Sequence, residues 1–191
     1  MKNIILILII LLSISCKQTE KNKDFEKIEL NEKFKLDFLS QILSDSTDFK
    51  LLKKPNRFIS NYFDLSPQFE NDSLIISHSE YISQILEIND VDFVKEQIKQ
   101  NENFNYDKLA DYGFNILDVK GLIEKGVTGQ KIINYTEEKN NYGLLMISVP
   151  IFNKDLNRAY IRLYDFEGET IVFERINNKW KIKDRIDKYV F

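Results

Sequence analysis

The chain has 191 residues, of which 43% are hydrophobic and 13% aromatic, so one domain can build a packed core without a metal or a disulfide. Its 27 basic residues nearly balance its 30 acidic residues, which argues against a nucleic-acid-binding protein, a class that normally carries a strong basic excess. The single cysteine, Cys16, excludes an intramolecular disulfide and a zinc site built from several cysteines.

The N-terminus has the features of an export signal. Lys2 precedes an apolar run of nine residues, Ile4–Leu12, and the small residue Ser15 stands directly before Cys16. A helix needs about 20 apolar residues to span a bilayer, roughly twice the length of this run. The pattern therefore predicts a signal peptide over residues 1–15 rather than a permanent transmembrane anchor.

The position of Cys16 resembles the lipobox of bacterial lipoproteins. Ser15 is the small residue that the motif has before its cysteine, and Ile14 fits one place earlier, whereas Ser13 stands where the motif usually has Leu. This resemblance covers residues 1–16 and implies that the Cys16 thiol receives a diacylglycerol before the signal is cleaved. An ordinary secretory signal with an incidental cysteine is the alternative.

The resemblance implies a membrane partner, held through the lipid, and a location in the cell envelope. The outer membrane is favoured and the leaflet stays open; the composition is also similar to that of Bacteroidota lipoproteins. Residues 16–30 are expected to be the lipidated cysteine and a polar tether, whose random-coil reach is roughly 20 Å. Residues 31–191 are expected to form a single domain.

The first half of the domain has the spacing and caps of amphipathic helices. Asn31 can cap a helix over Glu32–Ser44, Ser77 and Glu80 form a capping box, and Asp90 can cap a further helix. Two helix stops are expected at Gly113 and Gly126, after Leu109–Tyr112 and Val119–Lys125.

The second half changes to the pattern of strands. Strand-type runs cover Ile132–Tyr135, Leu144–Val149, Arg158–Asp165, Thr170–Ile176 and Lys179–Phe191. Turns are expected at Glu167-Gly168 and at Asn177-Asn178, where asparagine tolerates the positive φ of a type I′ hairpin. The sequence therefore predicts an α+β fold in which N-terminal helices pack on a C-terminal four- to five-stranded antiparallel meander sheet. The Lys179-Trp180-Lys181-Ile182 strand resembles the end of the nuclear-transport-factor-like (cystatin-like) class, which implies a fold and no function.

Residues with catalytic potential all have a structural interpretation. His78 lies inside the capping box, which favours a structural role. Asn89-Asp90-Val91-Asp92 is oxygen-rich but lacks the glycine and the closing glutamate of a calcium loop, so a helix cap is favoured. Asp165, Glu167 and Glu169 are typical of a solvated turn. We predict no catalytic residue, metal or cofactor, and leave enzymatic activity open.

The alternation of side chains along two strands yields the candidate binding face. If the strands are in register, one side of the sheet carries eight polar residues: Arg158, Tyr160, Arg162, Tyr164, Lys179, Lys181, Lys183 and Arg185. Arg and Tyr favour binding, here of an anionic protein surface or a lipid headgroup. The alternative is the solvated side of a half-covered antiparallel sheet.

These patterns favour a non-enzymatic, lipid-anchored interaction module, of which immunity and inhibitor lipoproteins are one form. The alternative is a small envelope hydrolase or a ligand carrier with a pocket in a cone-shaped sheet. A deep, enclosed pocket would favour the alternative, and a filled core would favour the interaction module.

Overall fold

The computed structural model of the protein describes residues 29–44, 57–61, 76–139, 143–165 and 167–190. The predicted signal peptide, Cys16 and most of the tether lie outside these ranges. The helices are α1 (Glu32–Ser44), α2 (His78–Ile85), α3 (Val91–Asn101), the 3₁₀-helix η1 (Tyr106–Tyr112), α4 (Val119–Glu124) and α5 (Gly129–Lys139). The strands are β1 (Phe58–Asn61), β2 (Asn115–Ile116), β3 (Leu144–Ile147), β4 (Ile151–Phe152), β5 (Arg158–Asp165), β6 (Glu167–Ile176) and β7 (Lys179–Val190). Within the described residues, no helix is both long and apolar enough to cross a membrane.

The described strands form one seven-stranded sheet of mixed direction. Its order is β2-β1-β3-β5-β6-β7, with β4 paired to β5, and β1 runs parallel to both β2 and β3. The α+β class and the antiparallel β5-β6-β7 meander are confirmed. The prediction of a purely antiparallel sheet of four to five strands is wrong, because β1, β2 and β4 have only two to four residues each and leave no readable alternation.

The predicted strand Ile132–Tyr135 is also wrong, because these residues lie inside α5. Thr128 directly precedes this helix, and its carbonyl accepts from the Ile132 amide at 3.2 Å. Ile132 and Thr136, one helical turn apart, are both buried. The short run with two adjacent isoleucines fits an amphipathic helix as well as a strand, and periodicity alone does not distinguish the two.

Local signals fixed the caps and one of the two turns. The predicted caps Asn31, Ser77 and Asp90 are confirmed, each accepting a hydrogen bond from a backbone amide three residues later. Asn177 and Asn178 have φ of 50° and 62°, which confirms the type I′ turn. Glu167 and Gly168, where the other turn was predicted, already belong to β6 and pair with Asp165 and Tyr164 of β5.

One face of the sheet, here called the first face, packs against α1. Phe38 lies at the centre of this core, and its ring centroid is 4.9 Å from that of Trp180, 5.3 Å from Phe152 and 5.4 Å from Phe173. All three pairs meet edge to face, the arrangement that aromatic quadrupoles favour. The odd-numbered residues of β5, such as Ile161, complete this core.

The opposite or second face of the sheet packs against α2 and α3. Ile82 of α2, Leu86 directly after α2 and Val94 of α3 form a separate core with Tyr160 of β5 and Val172 of β6. Both faces of the central strands are therefore covered, and the described structure has helices on each side of the sheet.

A buried glutamine joins α3 to the sheet. The Gln97 side chain donates to the Phe152 carbonyl at 2.8 Å and accepts from the Phe152 amide at 2.9 Å. Gln97 is 2% exposed, so these bonds satisfy backbone groups that water cannot reach.

Gln97→Met is expected to lower the free energy of unfolding by about 2 kcal/mol or more, because it leaves both backbone groups of Phe152 buried without these partners. Urea denaturation measures the effect. Gln100→Met, on the exposed side of the same helix, is the matched control and should change stability by less than about 0.5 kcal/mol. Equal denaturation midpoints for the two variants would contradict the assignment.

Candidate functional site

The β5 part of the predicted binding face is not an open surface. Tyr160 and Arg162 are only 2% and 4% exposed, and Tyr160 belongs to the core formed with α2 and α3. Tyr164 is half-buried beside Leu144 and Thr136, where α5 covers the sheet. Alternation assigned these residues to a common face correctly, but helices cover that face. The alternative of a solvated sheet side is wrong here for the same reason.

The β7 part of the face is divided by a β-bulge. Phe173 pairs with Ile182 and Val172 pairs with Asp184, so Lys183 is an extra residue in β7. Beyond this bulge the alternation reverses, and Arg185 pairs with Ile171 on the first face. The prediction that Arg185 shares a face with Lys179, Lys181 and Lys183 is therefore wrong, whereas these three lysines are exposed.

A carboxylate from the helices meets the basic residues that remain. Glu87, in the turn between α2 and α3, has its Oε1 2.6 Å from Arg158 Nη1 and 3.6 Å from Lys183 Nζ. Arg158 Nε also lies 3.7 Å from Glu174 Oε1. The hydrogen bond from Arg158 and its positive charge hold the pKa of Glu87 below its ordinary value. We call Glu87, Arg158 and Lys183 the Glu87 cluster.

The Glu87 cluster borders a polar cleft of about 300 Å³, formed by residues 87–90 and by residues 153–155 of the β4–β5 turn. Lys154 spans this cleft, with Nζ 2.7 Å from Asp90 Oδ2. Asp90 also caps α3 by accepting from the Phe93 amide, which supports the helix-cap interpretation over the metal loop. Lys154 therefore lines the cleft, and Arg158 and Lys183 lie next to it through their contacts with Glu87.

Sequence reasoning missed this cleft because it joins segments far apart in the chain. Glu87 lies two residues after the end of α2 and has a positive φ of 57°, a conformation that no sequence motif here predicts. Between Glu87 and Arg158 the chain forms the helices α3, η1, α4 and α5 and the three strands β2, β3 and β4. The one local signal was the cap at Asp90, which marks where the α2–α3 turn ends.

The carboxylates near the β5–β6 connection do not form a solvated cluster. Asp165 forms an ion pair with Arg57, which is 3% exposed and also donates to the Leu144 carbonyl at 3.3 Å. Glu169 is 7% exposed and forms an ion pair with Arg185. The solvated-turn interpretation is therefore wrong for both residues, which lie in ion pairs at the end of β5 and β6 opposite Arg158.

His78 is the first residue of α2 and is half-buried, with its ring centroid 6.3 Å from that of Tyr160. This placement fits the predicted structural role within the capping box, because the imidazole packs where α2 meets the sheet.

Comparisons with protein-family models, with curated proteins and with solved structures find no match to this chain. Three features of the chain bear on its function: the lipobox-like Cys16, the Glu87 cluster with its cleft, and the exposed lysines of β7.

Arg158→Met is expected to raise the pKa of Glu87 toward the ordinary glutamate value of about 4.3, because it removes the partner that stabilises the charged form. In the unaltered protein, the stabilisation from this ion pair is present above about pH 4.3 and is lost as the pH falls through the lowered pKa of Glu87. Titration of the carboxyl carbon by NMR measures this pKa.

Lys154→Met is the control for that titration. Lys154 contacts Asp90 rather than Glu87, so its removal should raise the pKa of Asp90 and leave the pKa of Glu87 in place. A Glu87 titration that is identical in the unaltered protein and in Arg158→Met would contradict the cluster.

Proposed function

We propose that this protein is a lipid-anchored interaction module of the bacterial cell envelope. The observation that carries the proposal is Cys16, which follows the nine-residue apolar run after the short segment Ser13–Ser15. Several acyl chains on one cysteine hold a protein far more firmly than a single chain does. The polar tether then lets the folded domain move within roughly 20 Å of its anchor.

The partner proposed for this module is an acidic protein surface, bound at the cleft beside the Glu87 cluster. Lys154 and Lys183 have side chains that are 56% and 35% exposed, so both can reach a docked partner. Arg158 adds a guanidinium with forked donors, held against Glu87 at the border of the cleft. In the free protein, Glu87 and Asp90 pair with these cations. An acidic partner would replace these two carboxylates as the partner of the cations.

The packing of the sheet supports an interaction surface over a ligand carrier or a small hydrolase. Pockets for small molecules are mostly apolar and enclose about 300–1,000 Å³. Two of the hollows bounded by described residues are the polar cleft, which is open to solvent, and an apolar one of about 80 Å³ between α5 and the sheet. Side chains such as Phe38, Leu145 and Phe173 fill the space beneath the sheet. An immunity or inhibitor lipoprotein that neutralises another protein is one specific form of this function.

The anchor is tested by blocking lipoprotein signal peptidase in cells that express the full chain. The precursor is expected to accumulate uncut under the block, and Cys16→Ser is expected to abolish acyl incorporation measured by mass spectrometry of the N-terminal peptide. Ser13→Ala keeps the cysteine and is the matched control. Normal processing under the block would remove the lipoprotein assignment.

The partner site is tested by capture from native envelope extract and by binding of the captured, purified protein. Lys154→Glu combined with Lys183→Glu is expected to weaken binding at least tenfold, a loss of about 1.4 kcal/mol, because two attractive charges become repulsive. Glu87→Gln is expected to bind as well as the unaltered chain or better, since it removes the internal competitor.

Lys99→Glu combined with Lys131→Glu makes the same change in net charge on exposed positions of α3 and α5, away from the cleft. This control should bind like the unaltered chain. Equal binding of the partner to the unaltered chain, to the Lys154/Lys183 variant and to the Lys99/Lys131 variant would show that the cleft is not the binding site.

A further inference from the structure

The tip of the β6–β7 hairpin combines an exposed apolar side chain with exposed lysines. Ile176, the last residue of β6, is 44% exposed and pairs directly with Lys179 across the Asn177-Asn178 turn. Lys181 follows on the same face, opposite Glu174. An apolar side chain bordered by lysines is the composition of surfaces that dip into a lipid interface.

The lysines at this tip differ from the other cations of the same strands. Arg158, Lys183 and Arg185 each lie within ion-pair distance of a carboxylate. For Lys179 and Lys181, no carboxylate of the described residues lies at that distance, because Glu174 is directed toward Arg158 at 3.7 Å. The tip therefore carries positive charge that the described structure does not neutralise.

The tether enters the domain beside this tip. Phe34, in the first turn of α1, has its ring centroid 6.5 Å from that of Trp180 and 6.0 Å from the guanidinium carbon of Arg175. Trp180 and Arg175 are paired residues of the hairpin end. Residues 17–30 reach roughly 20 Å, so a lipid on Cys16 keeps this end of the domain within one tether length of the bilayer.

We infer that the hairpin tip, residues 175–181, is a second membrane contact that docks on anionic lipid headgroups next to the lipid anchor. Lys179 and Lys181 pair with headgroup phosphates, and Ile176 enters the boundary between headgroups and acyl chains. The inference rests on the proposed function in one respect, namely that Cys16 holds the chain at a bilayer. The contact fixes the orientation of the domain and brings the cleft, which begins one turn before β5, close to the membrane.

The test uses the mature chain, residues 16–191, coupled through the Cys16 thiol to a maleimide lipid in vesicles. Coupling supplies the tether whether or not cells acylate the cysteine. The vesicles contain phosphatidylcholine, with or without phosphatidylglycerol, and mass spectrometry follows the rate at which each lysine is acetylated. Lys179 and Lys181 are expected to react roughly fivefold more slowly on the anionic vesicles, and high salt is expected to reverse the protection.

Lys125 and Lys131 are internal controls, because they are exposed near α4 and α5, which pack on β1 and β3 far from β7. Ile176→Asp should remove the protection of Lys179 and Lys181. Ile133→Asp changes an isoleucine of similar exposure, 42%, on α5 and should leave that protection intact.

Equal acetylation rates of Lys179 and Lys181 on both kinds of vesicle would overturn the membrane contact and leave the tip open to a protein partner. Equal protection of Lys125 and Lys131 would also overturn it, because the effect would then be general crowding at the vesicle surface. A chain found unacylated in cells would instead contradict the lipid anchor. Failure of the anchor and failure of the membrane contact are therefore detected by different measurements.

Discussion

Strand β5 is buried on both of its faces, and the rest of the structure depends on that constraint. Ile161 and Leu163 face the core beneath α1, whereas Tyr160 and Arg162 face the helices on the other side. An antiparallel sheet can have one face exposed to water. In β5, however, one side is apolar and the other carries tyrosine, so helices can pack on both sides. The apolar stripes of α2 and α3 use the second of these surfaces.

Because helices cover the second face, the charged groups of the candidate site lie at the edge of the covered area. Arg158 lies at the rim of the covered area and meets Glu87 there, and Lys183 reaches the same carboxylate because of the bulge in β7. β7 ends the described sheet, and lysines on such an edge also discourage pairing with a second sheet. The cleft and the hairpin tip are therefore products of how the helices lie over the sheet.

The proposed anchor, tip and cleft form one arrangement along the molecule. The tether would hold α1, α1 contacts Trp180 at the hairpin end, and the cleft begins beside the first residue of β5 at the same end of the sheet. A module arranged in this way would present its binding cleft close to the membrane. Its partner would accordingly be a protein that is itself at or near the bilayer.

The sequence by itself determined the caps at Asn31, Ser77 and Asp90, the Asn177-Asn178 turn and the β5-β6-β7 meander. The caps and the turn depend on hydrogen bonds or backbone angles within a few residues, so the residue types specify them locally, and the meander follows from strand-type runs that are consecutive in the chain. For the candidate site, the sequence supplied the cations of β5 and β7 but not their carboxylate partners. The pairing of Glu87 with Arg158 joins residues far apart in the chain.

Only the tertiary structure decided the parallel pairing of β1, the burial of Tyr160 and Arg162, and the bulge at Lys183. Strand direction and burial depend on which distant elements pack together, and alternation within one strand carries no record of what covers it. The bulge has the same cause, because one extra residue in β7 has meaning only against its partner β6. For Ile132–Tyr135 the local pattern allowed both helix and strand, and packing of Ile132 and Thr136 against the sheet selected the helix.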